Sequence, residues 1–145
     1  MTKKSHLPLL ALTLPVCLLL GAVNTAQAAP TSWSDPATWP DGKVPAAGDK
    51  VTIARGKSVL LDVSPPALNG LTVDGKLSFA DNADLELTTE WIMLHGELEI
   101  GTEARPHTRK ATITFTNNVK DEDISGTGGT TDRVDRGIML MGGTL

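Results

Sequence analysis

A nine-residue pattern in this chain repeats almost in register 21 residues further on. Leu71-Thr72-Val73-Asp74-Gly75-Lys76-Leu77-Ser78-Phe79 is followed by Ile92-Met93-Leu94-His95-Gly96-Glu97-Leu98-Glu99-Ile100. Apolar residues take every second place in both, which is the period of a β-strand. A glycine holds the same midpoint, Gly75 and then Gly96. A strand pattern returning at this interval predicts a coil that buries its apolar face by stacking on the next coil. A third copy opens at Ile138-Met139-Leu140-Met141-Gly142 and stops at Leu145, so the chain reads as a truncated start of a longer coiled β-structure. The predicted fold is all-β, with short strands stacked as the start of a right-handed parallel β-helix. An antiparallel β-sandwich is the alternative.

If the copies stack in parallel register, residues 21 apart become neighbours about 4.8 Å apart. Asp74 then lies beside His95, and Lys76 beside Glu97. Both pairs are charge-complementary when His95 is protonated. Leu71, Val73, Leu77, Phe79, Ile92, Leu94, Leu98 and Ile100 are expected to point inward, and Thr72, Asp74, Met93 and His95 outward.

The first residues are set apart by chemistry. Lys3 and Lys4 precede an apolar run from Leu7 to Val23, broken by Pro8 and Pro15, and Ala26-Gln27-Ala28 supplies small residues at its exit. That is the layout of a secretory signal peptide over residues 1–28, not of a membrane anchor. Cys17, the one cysteine, would leave with it. Cleavage after Ala28 leaves 117 residues with 11 lysines and arginines against 17 acids, a net charge of −6. Such a chain can bury roughly two-thirds of its unfolded surface. It has no disulfide framework, so apolar packing must hold it. The charge argues against nucleic acid or an anionic membrane surface as partner. A polyanion would need locally clustered charge, and Arg105, His107, Arg109 and Lys110 around Pro106 form the one such cluster, read as a solvated loop. The location expected is secreted, periplasmic or at the cell surface.

Residues 30–50 are too rich in proline and glycine for a helix and are read as a structured loop pinned by Trp33 and Trp39. Val51–Ile53, Val59–Val63, Leu85–Leu87 and Ala111–Thr116 read as strands. Residues 117–133 are polar and glycine-rich and read as a long mobile loop; 134–145 begin a further coil.

Trp33-Ser34-Asp35-Pro36-Ala37-Thr38-Trp39, then Gly42, Pro45, Gly48-Asp49, Val51 and Ile53, form an ordered series. It continues through Val59, Leu60 and Asp62, Leu71 to Leu77, Gly96, Leu98, Ile100-Gly101-Thr102-Glu103, Pro106 and Ala111-Thr112-Ile113. The series resembles the eight-glycine (G-eight) domain, found in fibrocystin, in the cell-migration-inducing and transmembrane hyaluronidase family, and in secreted bacterial proteins. This chain is most similar to the bacterial secreted form, with the domain over residues 29–116. The resemblance implies an extracellular β-rich module, followed by β-helix repeats as a downstream partner, with a link to glycans such as hyaluronan. It carries over no catalytic residue, because the chemistry of hyaluronan-degrading relatives is expected beyond the module.

The residues themselves offer little for catalysis. A glycosidase needs two carboxylates across a sugar-sized cleft, and the acids here are scattered. Asp121-Glu122-Asp123 lacks calcium-loop spacing, and His95 and His107 have no cysteine near them, so no metal or other cofactor is expected. Whether the full-length protein is an enzyme stays open. The candidate glycan face is Trp91, His95 and Asp74, an aromatic plane beside polar groups; the alternative is that Trp91 packs under a loop. The preferred function is a non-catalytic extracellular module that caps a β-helix protein and contacts an extracellular glycan or polysaccharide. The alternatives are the N-terminal part of a secreted polysaccharide-degrading enzyme and a structural adhesin-type domain. Mass spectrometry of the exported protein should find Ala29 as its first residue; exported protein that keeps Met1 would refute the leader.

Overall fold

The computed structural model describes residues 29–118 and 136–145. The leader expected over residues 1–28, with Cys17, the Asp121-Glu122-Asp123 run and the glycine-rich stretch at 126–129 lie outside them. Among the described residues no helix is long and apolar enough to cross a membrane.

The described residues form ten short strands in order: β1 (Thr31–Ser32), β2 (Lys50–Ile53), β3 (Ser58–Leu61), β4 (Gly70–Val73), β5 (Lys76–Phe79), β6 (Leu85–Thr89), β7 (Ile92–Leu94), β8 (Glu97–Glu99), β9 (Ala111–Phe115) and β10 (Ile138–Leu140). Every pairing is parallel. One sheet runs β1-β3-β5-β8, a second β10-β7-β4-β2, and β6 pairs with β9 in a third. Leu68 adds a parallel bridge to Thr89, so the third side has a partner in the coil before. Each coil thus visits three sides in turn. The parallel ladders exclude the antiparallel sandwich.

The register is the one the repeat demands. Leu71 pairs with Ile92 and Val73 with Leu94, and in the neighbouring sheet Lys76 pairs with Glu97 and Leu77 with Leu98. Ile138-Met139-Leu140 lies on Ile92-Met93-Leu94. Leu71, Val73, Leu77, Phe79, Ile92, Leu94 and Leu98 are buried, while Thr72, Asp74 and Met93 are half-buried and His95 is exposed. Lys76 Nζ reaches Glu97 Oε1 at 3.0 Å and Glu99 Oε2 at 2.6 Å; His95 Nδ1 stands 2.9 Å from Asp74 Oδ1. Partly exposed pairs of this kind contribute only about 0.2–1 kcal/mol each, so they fix register more than stability.

The repeat is not one strand. It is two strands on different sheets, joined by the corners Asp74-Gly75 and His95-Gly96. A two-residue corner keeps the inward parity on both sides, so the sequence alternates straight through it. At these corners the backbones touch. Ile53 O accepts both Asp74 N–H (2.9 Å) and Gly75 N–H (3.0 Å), and Val73 O accepts both His95 N–H (3.0 Å) and Gly96 N–H (2.8 Å). A Cβ on Gly75 would lie 2.3 Å from Lys57 O, one on Gly96 1.9 Å from Gly75 O, and one on Gly143 2.7 Å from Gly96 O. Only hydrogen fits there.

Three further expectations are corrected. Ile100 is 40% exposed, because β8 ends at Glu99 and the chain turns away at Gly101, whose φ is 74°. The strand from Val59 stops at Leu61, leaving Val63 exposed. The leading loop does hold one helical turn, a 3-10 turn at Pro36–Thr38, started by Asp35 accepting from Ala37 N–H and fitted by proline at its first position.

Gly96→Ala should cost at least about 3 kcal/mol, because the backbone of Asp74 and Gly75 on the coil before blocks its methyl group. Gly137→Ala, where a Cβ meets nothing within 4 Å, should stay within about 0.5 kcal/mol of the parent. Leu94→Ala should cost about 2–5 kcal/mol, and Met93→Ala under about 1 kcal/mol. Denaturant midpoints check all four; equal losses at 93 and 94 would contradict the parity.

Candidate functional site

The outer face of the β1-β3-β5-β8 sheet carries what the strands turn away from the core. Alternation puts Ser58 and Leu60 of β3, Lys76 and Ser78 of β5, and Glu97 and Glu99 of β8 on that face. Lys76 bridges Glu97 and Glu99, and its ammonium is held above the ordinary lysine range, first by the hydrogen bond to Glu99.

Two segments stand beside this face and make it a groove of about 1000 Å³. One is the stretch from Phe79 to Asn82. The other is the loop after β8, from which Gly101, Thr102, Arg105, Pro106 and His107 face the groove. The coil containing that loop is longer than the one it stacks on, and the surplus residues bulge outward.

Asp81 ties the bulge down. Its carboxylate accepts from Thr108 N–H (2.8 Å), Thr108 Oγ1–H (2.8 Å) and Arg109 N–H (2.8 Å), with His107 Nδ1 at 3.6 Å. Desolvation opposes its ionisation, but these donors and the nearby imidazole outweigh it, so Asp81 titrates below the ordinary carboxylate range. Asp84 accepts from Lys110 N–H at 3.0 Å in the same way. Thr102 and Arg105 close a tight turn with mutual backbone hydrogen bonds of 2.9 and 3.1 Å. A Cβ on Gly101 would lie 2.4 Å from His107 N, so the bend there needs glycine twice, for space and for its positive φ.

The sequence-derived face of Trp91, His95 and Asp74 lies elsewhere and comes together only in part. His95 and Asp74 pair at the corner between two sheets. Trp91 precedes β7 whereas His95 follows it, so the strand separates them. The indole is 6% exposed and lies where a side chain on Gly70 would be, its ring atoms 2.2 Å from that position. Trp91 therefore presents no aromatic plane to solvent. Trp33 and Trp39 are buried too, edge to face at 4.8 Å and 70°, with Trp39 Nε1–H donating to Trp33 O at 2.8 Å. Sequence reasoning missed the groove because a fold of the 101–107 loop makes it. The one legible signal was the basic cluster around Pro106, of which Arg105 and His107 face the groove.

Comparison with known proteins gives the family. The family model of the G8 domain matches residues 38–145. The chain belongs to the G8 domain family. Fibrocystin-L of Homo sapiens is 33% identical over 137 residues, 89% of this chain and 3% of that protein. Fibrocystin of Mus musculus is 42% identical over 84 residues, 56% of this chain and 2% of that protein. The G8 module thus spans a small fraction of the relatives' length. No solved structure matches it.

In this G8 module Asp81 holds the groove wall at Thr108 and Arg109. A depressed folded-state pKa means Asp81 contributes its tether above the unfolded carboxylate pKa and loses it as pH falls through the folded one. Amide-exchange protection of Thr108 and Arg109 should therefore persist through the ordinary carboxylate range and collapse only at lower pH. Asp81→Asn should lower that protection at neutral pH; unchanged protection in the variant would remove Asp81 from this role.

Proposed function

We propose that this G8 module is a non-catalytic extracellular unit that closes one end of a longer stack of parallel coils and contacts glycans along the outer groove. The observation that carries the capping reading is the difference between its two ends. At the β1 and β2 end the core finishes in two buried indoles. Trp33 N–H donates to Leu60 O at 2.8 Å, Lys57 Nζ donates to Thr38 O, and Asp62 accepts from Ser34 N–H (3.0 Å) and Ser34 Oγ–H (2.6 Å). Burial works against the Asp62 carboxylate, yet the Ser34 bonds bring it below its ordinary range. At the β8 and β10 end the core is open among the described residues. Leu140 (53% exposed) and Met141 (58%) stand in solvent, and Ile100 and Leu145 (64%) border a hollow of about 450 Å³ lined also by Leu98, Ile113 and Ile138. Among the described residues only Val63 is a large exposed apolar side chain outside that end. An exposed apolar face at the end of the ladders is what a further coil would cover.

The leader and the family resemblance support an extracellular setting. The non-catalytic reading is supported by the acids facing the groove. Asp81 is occupied by three donors of its own chain and Glu99 by Lys76, so neither is free to move a proton. The groove's open shape and its serine and threonine hydroxyls support glycan contact.

The isolated module should self-associate through the open end. Sedimentation should show that Leu140→Ser with Met141→Ser shifts it toward monomer, with the melting temperature moving by no more than a few degrees. Fusion of a further parallel coil after Leu145 should raise the melting temperature and abolish association. A monomer whose stability ignores both changes would defeat the capping reading.

A further inference from the structure

We propose that the outer edge of the β10-β7-β4-β2 sheet binds one soft monovalent cation of the Cu(I) class. The ligands are the thioethers of Met93, Met139 and Met141 and the Nε2 atom of His95.

Stacking brings these residues together from positions far apart in the chain. Apart from Met1 the chain has three methionines, and all of them stand here. Met139 lies directly on Met93 in the parallel ladder. Met141 takes on its coil the place that His95 takes on the coil before. Its N–H donates to Leu94 O at 2.9 Å, as His95 N–H donates to Val73 O at 3.0 Å. Met93-Leu94-His95 is thus overlain by Met139-Leu140-Met141. Adjacent coils are about 4.8 Å apart, and alternate places along a strand about 6.6 Å apart. Methionine has three rotatable bonds, so one ion can draw ligands from all four places. Met93 and Met139 are half-buried, whereas His95 and Met141 are exposed, which leaves the ion a way in from solvent.

Packing does not account for the methionines. A thioether usually fills gaps in a core, but none of these three belongs to the hydrophobic core or packs against it. The same outward column carries Thr52 on β2 and Thr72 on β4, so the sheet face does not itself require apolar side chains.

The imidazole is already set for a metal. His95 Nδ1 stands 2.9 Å from Asp74 Oδ1, which places the proton of the neutral ring on Nδ1 and leaves the Nε2 lone pair to the ion. Asp74 is therefore a positioning residue, and its charge balances that of a monovalent cation. The donor chemistry selects the ion. Among the described residues no three His, Cys, Asp or Glu side chains gather, so zinc and calcium lack their usual ligands. Thioethers favour Cu(I). The expectation of no metal rested on histidine without cysteine; the sulfur that the fold brings to His95 is methionine's.

The test offers the folded chain Cu(I) as its bicinchoninate complex, without oxygen and with ascorbate present. The chain should withdraw one Cu(I), and excess Zn(II) should not displace it. Met93→Leu, Met139→Leu and His95→Gln should each weaken binding roughly tenfold or more. Asp74→Asn should weaken it while the sulfur ligation seen by copper X-ray absorption stays the same. Thr52→Val, in the same column but away from the methionines, should change nothing. Circular dichroism should show the variants folded alike, since leucine replaces methionine at similar volume. In the unaltered chain, one equivalent of Ag(I) should shift the methyl resonances of Met93, Met139 and Met141 together, a readout that needs no variant. Failure to withdraw Cu(I), affinity indifferent to the leucine variants, or a shift of Met1 alone would overturn the site. Zn(II) bound as tightly as Cu(I) would overturn its soft character.

Discussion

Backbone contact at the corners is the constraint on which the rest of the molecule depends. Parallel strands need long connections, and a coil of three short strands supplies them only if its corners are tight. At Gly75 and Gly96 the corner shrinks to two residues, and successive coils touch peptide to peptide, each carbonyl before the corner serving two N–H groups of the next coil. That contact sets the spacing and phase of the whole repeat. Once Gly96 sits against Gly75 O, Leu94 must cover Val73 and Leu98 must cover Leu77. The ion pairs of Asp74 with His95 and of Lys76 with Glu97 follow from a register the glycines have already fixed.

Coils of unequal length need a second device. β5 and β8 pair across 21 residues, but the next side pairs Leu85 with Ala111, and the extra residues leave the stack as the 101–110 loop. An acid on the coil before captures main-chain N–H groups of the departing segment: Asp81 takes Thr108 and Arg109, and Asp84 takes Lys110. Asp62 holds Ser34 in the reverse sense, an acid on the later coil bonded to the coil before. Glu90 is the buried instance, 1% exposed. It accepts from Asn118 N–H at 2.9 Å and Thr116 Oγ1–H at 2.7 Å, with Arg136 Nη1 at 3.5 Å, and so binds both flanks of residues 119–135. A carboxylate serves well because it offers several acceptor sites to donors that have left the ladder.

What the sequence made legible follows from this division. Stacked coils repeat local chemistry at a fixed interval, so the alternation and the charge pairs at Asp74, Lys76, His95 and Glu97 could be read one residue at a time. The corners hid because a two-residue bend keeps parity, and Leu71 to Phe79 looks the same straight or folded. Three tryptophans look equivalent in a string. Gly70, one repeat of 21 residues before Trp91, gives the indole a place to lie down, but the interval alone does not say that the ring lies over it rather than facing solvent. The groove was least legible. Its wall is a departure from the repeat, and what holds that wall is Asp81, an acid 27 residues from Thr108.

Repeat and departure meet in the groove, and this joins the two proposed roles. Its floor draws on β3, β5 and β8, three successive coils, so it runs across the coils in the direction in which the stack grows. A coil added beyond β8 would extend that floor while covering the apolar face around Ile100 and Leu145. At the other end the indoles of Trp33 and Trp39 occupy the core. A cap of this form would therefore also place the start of an extended surface.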